Sequence, residues 1–116
     1  MTTADAGPLE DFPENAMRIV KAGKHEVGVL RWNGSVYAIR NHCPHQGGPV
    51  CGGQVGPRLT ATLSGPIVDH DAPVISCGWH GWEFDARTGL ALWSAKYRVK
   101  TWPARIEEDR VKIDIS

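Results

Sequence analysis

With 116 residues, the chain has room for one small domain and a modest core, but not for a second domain of ordinary size. Its 13 Lys and Arg balance 13 Asp and Glu, and a formal net charge of zero argues against a nucleic-acid binder, which usually carries a basic excess. No apolar run approaches the roughly 18 residues that span a bilayer, so no membrane association is expected and a cytoplasmic location is the default.

In chain order, residues 1–14 are polar and mildly acidic, lack the features of a secretory signal, and read as a loose lead-in. Short apolar-rich runs of strand character follow at 17–20 and 25–31. Trp32-Asn33-Gly34-Ser35 then interrupts, and the pattern resumes over 36–40. Asn-Gly between such runs is a strong hairpin signal, because both central residues of a type I′ turn need positive φ. Further strands are expected at 58–63, 73–75, 81–84, 96–102 and 110–115, with a turn over 85–89. The last of these puts Val111, Ile113 and Ile115 on one face and Lys112 and Asp114 on the other, the pattern of a half-buried strand. No segment sustains a helical period. The expectation is a single all-β domain over 1–116, an antiparallel sandwich or barrel.

The chemistry concentrates in two Gly/Pro-rich loops, 41–49 and 76–81. They carry Cys43-Pro44-His45 and Cys77-Gly78-Trp79-His80. Thiolate and neutral imidazole are ligands for iron or zinc, whereas hard cations want oxygen. One Cys-x-His would be weak, but two such pairs on loops of one β domain point to a metal site, iron or a structural zinc. Taking Cys43 and Cys77 as ligands leaves Cys51 without an intramolecular partner, which suits a reducing compartment and a small buried filler. His42 reads as a loop residue pointing elsewhere, Asp69-His70-Asp71 as a solvated loop, and His25 receives no role. Trp79 and Trp82 flank His80 and either shield the site or fill space around it. Trp32, Trp93 and Trp102 read as core or edge packing.

The stretches Cys43-Pro44-His45-Gln46-Gly47-Gly48-Pro49 and Cys77-Gly78-Trp79-His80-Gly81-Trp82-Glu83-Phe84-Asp85 resemble the two boxes of the Rieske iron–sulfur family. That resemblance implies one Rieske-type [2Fe–2S] cluster, with one iron on Cys43 and Cys77 and the other on His45 and His80. It also implies stacked antiparallel sheets with two cluster-binding loops at one tip, in a cluster-binding subdomain over 41–86. Two neutral imidazoles in place of two thiolates make the cluster easier to reduce than an all-cysteine one.

Respiratory members of the family add one cysteine in each loop, where this chain has Gly48 and Trp79, so their disulfide has no counterpart here. They also place hydroxyl donors to sulfur where this chain has Trp82 and Phe84, and losing such donors lowers the potential. The chain therefore resembles the low-potential, oxygenase-associated branch. No histidine follows His80, so the two histidine ligands of an oxygenase subunit's mononuclear iron are missing from 81–116. The resemblance implies a Rieske-type ferredoxin, a one-electron carrier between a reductase and a terminal oxygenase with no small-molecule substrate of its own. A small subunit of a multi-chain oxygenase or reductase, and a redox-sensing cluster protein, stay open beside it. Thirty-one residues separate His45 from Cys77, more than in compact members, and the extra length within 52–74 is expected to be a hairpin, a cover or a docking surface.

Overall fold

The structure is a computed structural model that describes residues 2–42, 54–77, 82–92 and 94–115. Its strands in chain order are β1 (Thr2–Pro8), β2 (Ala16–Ala22), β3 (His25–Trp32), β4 (Ser35–Arg40), β5 (Gln54–Thr62), β6 (Gly65–Ser76), β7 (Glu83–Asp85), β8 (Leu90–Ala91), β9 (Ser94–Arg98), β10 (Thr101–Trp102), β11 (Ala104–Glu107) and β12 (Arg110–Ile115). A 3-10 turn, Leu9–Asp11, follows β1. They form three antiparallel sheets, ordered β1-β12-β11, β10-β4-β3-β2 and β5-β6-β7-β8-β9.

The middle sheet is apolar on both faces, and this explains the unbroken apolar run in β3. Val27 and Val29 of β3, with Val36 and Ala38 of β4, face one way and pack with Phe12, Trp102, Val111 and Ile113. Leu30, Trp32 and Ile39 face the other way and pack with Ile75, Cys77, Phe84, Ala86 and Val99. A sheet covered on both sides needs apolar residues at consecutive positions rather than alternate ones. Burying each such side chain fully is worth about 1.5–3 kcal/mol. These two layers, rather than exposed ion pairs worth about 0–1 kcal/mol each, hold the fold together.

The predicted turn is present: Asn33 and Gly34 take φ of 48° and 81°, and Trp32 stands opposite Ser35. Residues 1–14 differ from the sequence expectation. They are not a loose lead-in over the described part, because β1 pairs with β12 from Thr2↔Ile115 to Pro8↔Arg110, and Phe12 is buried. Asp5 fastens this pairing by accepting from Arg110 Nε at 2.8 Å and Lys112 Nζ at 3.0 Å. These bonds hold its carboxyl well below the usual carboxylate range. The expected strand 96–102 is broken: β9 belongs to the sheet of β8, and β10 joins β4. The chain crosses between the two sheets at Val99, whose N–H donates to Gly89 O at 2.8 Å, and Lys100, whose carbonyl accepts from Arg40 N at 2.8 Å.

The long segment between the two boxes is a hairpin. β5 and β6 pair from Gln54↔Ser76 to Thr62↔Gly65. Between Pro57↔Pro73 and Arg58↔Asp69 the register skips three residues of β6, and the strand bulges there. The bulge is clamped to the body of the protein, since Trp32 Nε1 and Asn33 Nδ2 both donate to His70 O at 2.6 Å. Asp69-His70-Asp71 therefore lies in a strand rather than a loop, and Asn33 Nδ2 also reaches Asp71 Oδ1 at 3.1 Å.

Candidate metal centre

Cys77 directly follows β6 and is 2 % exposed, with no disulfide. Its side chain belongs to the apolar layer that also holds Ile39, Ile75 and Phe84. Its N–H donates to Trp82 O at 2.7 Å, which ties together the two ends of the segment bearing His80. Ser76 pairs with Gln54 on one side and Glu83 on the other. The first box leaves the described chain after His42 and rejoins it at Gln54; the second leaves at Cys77 and rejoins at Trp82. The return of the first box and both ends of the second thus meet at one end of the β5–β6–β7 sheet. Cys43, His45 and His80 lie outside the described residues, as do Gly47, Gly48, Cys51, Trp79 and Trp93.

The approach to the first box is also fixed. Beyond β4, Asn41 N–H donates to Glu26 O at 3.0 Å and His42 N–H to Arg40 O at 2.8 Å, and the Asn41 side-chain amide bonds Glu26 Oε1. His42 is exposed. Trp82 packs on the apolar layer beneath Cys77 and meets the Tyr97 ring edge-on, centroids 5.0 Å apart. Space-filling is therefore one of its roles. Trp32 and Trp102 are buried, as expected of packing residues. Sequence reasoning missed the Trp82 carbonyl, for which no signal existed: every residue type carries the same backbone acceptor.

Asp85 ends the second box and builds the turn behind it. Its Oδ1 accepts from Arg87 N at 2.8 Å and its Oδ2 from Arg87 Nη2 at 3.2 Å, while Ala86 N–H donates to Pro73 O at 3.0 Å. Burial is the strongest single influence on the Asp85 carboxyl and pushes its pKa up. The Arg87 guanidinium and the N–H groups of Arg87 and Thr88 together outweigh it, leaving the group below its ordinary value of 3.8. A carboxyl with a lowered folded pKa adds stability above its unfolded value, and the gain is lost as pH falls through the folded one. Asp85→Asn is expected to cost about 1–2 kcal/mol at neutral pH, discounted because Arg87 is partly exposed. Urea unfolding of both proteins should show that difference narrowing in acid.

Among these residues, the donor set fits an iron–sulfur cluster: two thiols and two imidazoles, with the one described thiol buried in apolar surroundings and free of any disulfide. The match to the Rieske [2Fe–2S] domain over residues 3–103 takes in both boxes, and the chain belongs to that family. It holds one Rieske-type [2Fe–2S] cluster. It is 30% identical over 110 residues to the ferredoxin component of the naphthalene 1,2-dioxygenase/salicylate 5-hydroxylase systems of a Ralstonia species, covering 94% of this chain and 91% of that one. It is 26% identical over 109 residues to the ferredoxin component of the alkene monooxygenase system of Xanthobacter autotrophicus, covering 94% and 78%. Among solved structures, the ferredoxin of carbazole 1,9a-dioxygenase from Nocardioides aromaticivorans IC177 superposes with a TM-score of 0.81 over 100% of both chains at 20% identity, a likeness of fold.

Proposed function

We propose that the chain is a Rieske-type ferredoxin, carrying one electron at a time from a reductase to a terminal oxygenase in the cytoplasm. Cys43 and Cys77 hold one iron and His45 and His80 the other. The observation that supports this reading most is the near full-length similarity to chains that are themselves ferredoxin components of oxygenase systems. One of those relatives serves naphthalene 1,2-dioxygenase and salicylate 5-hydroxylase systems and the other an alkene monooxygenase system. The final substrate is accordingly a property of the oxygenase and not of this chain.

When bound, the cluster supplies a site that accepts and releases a single electron. The protein's own residues set its surroundings. Cys77 is held in a dry apolar layer, and its backbone is pinned by Trp82 O. Burial keeps water from one side of the thiolate and strengthens every charge interaction around it. Phe84 is fully buried between the sheets and offers no hydroxyl to a sulfur. With Trp82 also lacking one, the potential is expected at the low end of the Rieske range, about −150 mV.

A redox titration of the coloured protein followed by electron paramagnetic resonance tests this. A Rieske signal with that midpoint, and electron transfer to an oxygenase without turnover of any small molecule by the chain alone, is the expected result. A midpoint several hundred millivolts higher, or a colourless zinc protein, would overturn the proposal.

A further inference from the structure

Beyond the electron-carrier reading, we infer that the outer half of the β5–β6 hairpin is a contact between two copies of this chain, formed by antiparallel pairing of the free edge of β5. Three observations on that ribbon lead there.

First, it stands apart from the rest of the sheet. β7 pairs with β6 only from Val74 to Ser76, so beyond the bulge β5 and β6 have only each other as strand neighbours among the described residues. Among the described residues, β5 is also the edge strand of its sheet. Second, it exposes large apolar side chains. Leu59, Leu63, Ile67 and Val68 are 65%, 110%, 57% and 42% exposed and fall within ten residues. Among the described residues the other exposed large apolar side chains, Ile19, Leu90 and Ile106, are scattered over three separate strands. Third, residues 59–68 contain no charged side chain, in a chain that is 22% charged. Edge strands of monomeric proteins are normally protected by lysines, prolines, bulges, inward-pointing charges or a covering element, and on β5 Pro57 and the bulge guard only the foot of the ribbon. Here the first charges met are Arg58 and Asp69, which are register partners at the foot of the ribbon.

The charge pattern selects the occupant. A face built for a differently charged partner carries the complementary charge, which steers encounter and fixes register. An uncharged ribbon has neither steering nor self-repulsion, so its own copy is the partner it fits. Antiparallel pairing of one edge with itself is two-fold symmetric, so the same strand serves both sides of the contact. Position agrees as well. Cys77 lies just beyond one end of the twelve-residue β6 and Leu63 just before the other, roughly 35 Å apart at strand rise. A dimer made at the ribbon leaves the cluster ends of both copies open to redox partners. The clamp from Trp32 and Asn33 onto His70 O holds the ribbon at a fixed angle, which limits the ordering needed on association. The contact is small beside a standard interface of about 1,200–2,000 Å², so the dimer should be weak and fast to exchange.

Sedimentation velocity of the cluster-loaded protein, from a few micromolar to about 1 mM, tests this. The wild-type sedimentation coefficient should rise with concentration toward a dimer. Leu59→Lys combined with Leu63→Lys should abolish that rise while leaving the paramagnetic spectrum unchanged, which shows that the fold and cluster survive. Ile19→Lys, an exposed apolar position on β2, should leave the rise intact. A wild-type coefficient that stays flat over the whole range would overturn the inference, as would a rise that persists in the double variant. Neither result bears on electron transfer, so the carrier reading stands or falls separately.

Discussion

Cys77→Ser is expected to eliminate the visible absorption and the Rieske paramagnetic signal. Serine matches cysteine in shape but supplies no thiolate, and iron–sulfur clusters are held by thiolates at their cysteine positions. Because Cys77 is buried in the same layer as Ile75 and Phe84, the loss is also felt by the fold. A bound cluster stabilises the native state that binds it, so the variant should unfold at lower urea than the loaded wild type. His42→Ala is the informative companion. His42 is next in sequence to Cys43 and exposed, so its loss should leave colour and spectrum as they were. A coloured Cys77→Ser protein, or a bleached His42→Ala one, would contradict the ligand assignment.

Gly89→Ala is expected to be the most damaging small substitution in the described chain. Gly89 has φ +82°, and a Cβ there would lie 2.2 Å from Val99 O. That carbonyl has little room to withdraw, because Val99 N–H donates to Gly89 O at 2.8 Å and Gly89 N–H to Asp85 O at 2.7 Å. Gly34 supplies the control. Its φ is +81°, but a Cβ added there would meet nothing within 4 Å. Gly34→Ala therefore isolates the backbone cost of about 1–2 kcal/mol. Gly89→Ala adds the collision and should cost about 4 kcal/mol, in the range reserved for a few specific mechanisms. For a domain of this size that difference lowers the melting temperature by more than about 15 °C for Gly89→Ala and about 5–10 °C for Gly34→Ala. Equal melting temperatures for the two variants would mean that the turn relaxes around the new methyl group.

Strands whose two faces differ, or whose turns use glycine, were legible in the sequence. β12 alternates cleanly, and β3–β4 is announced by Asn33-Gly34. β11 was not legible, because its hairpin with β12 turns through Glu108 and Asp109, at φ 52° and 60°, with no glycine to mark it. β1 was missed for a different reason. TTADAGP has little strand propensity of its own, and its pairing depends on β12 at the other end of the chain. The strands read at 58–63 and 73–75 are β5 and part of β6, but the extension of β6 back to Gly65 was not legible, since the polar Asp69-His70-Asp71 interrupts the apolar pattern. The strand bulges there, and Trp32 and Asn33 satisfy the His70 carbonyl. For the metal centre, residue types and spacing named Cys77 as a ligand candidate. The backbone bond that holds it, and the meeting of Gln54, Ser76 and Glu83 at one sheet end, are products of strand register.

The pairing of β1 with β12 separates the order of synthesis from the order of closure. Thr3 and Asp114, whose side chains are hydrogen-bonded, stand 111 positions apart. At about 5–20 residues per second, β1 leaves the ribosome roughly 5–20 s before its partner exists. Contacts of such sequence separation also slow folding itself, toward the millisecond-to-second regime of β-rich domains. Both boxes lie between Asn41 and Ala86, so they emerge while β1 still waits for β12. Both boxes are therefore made before the outer sheet that closes the domain can form.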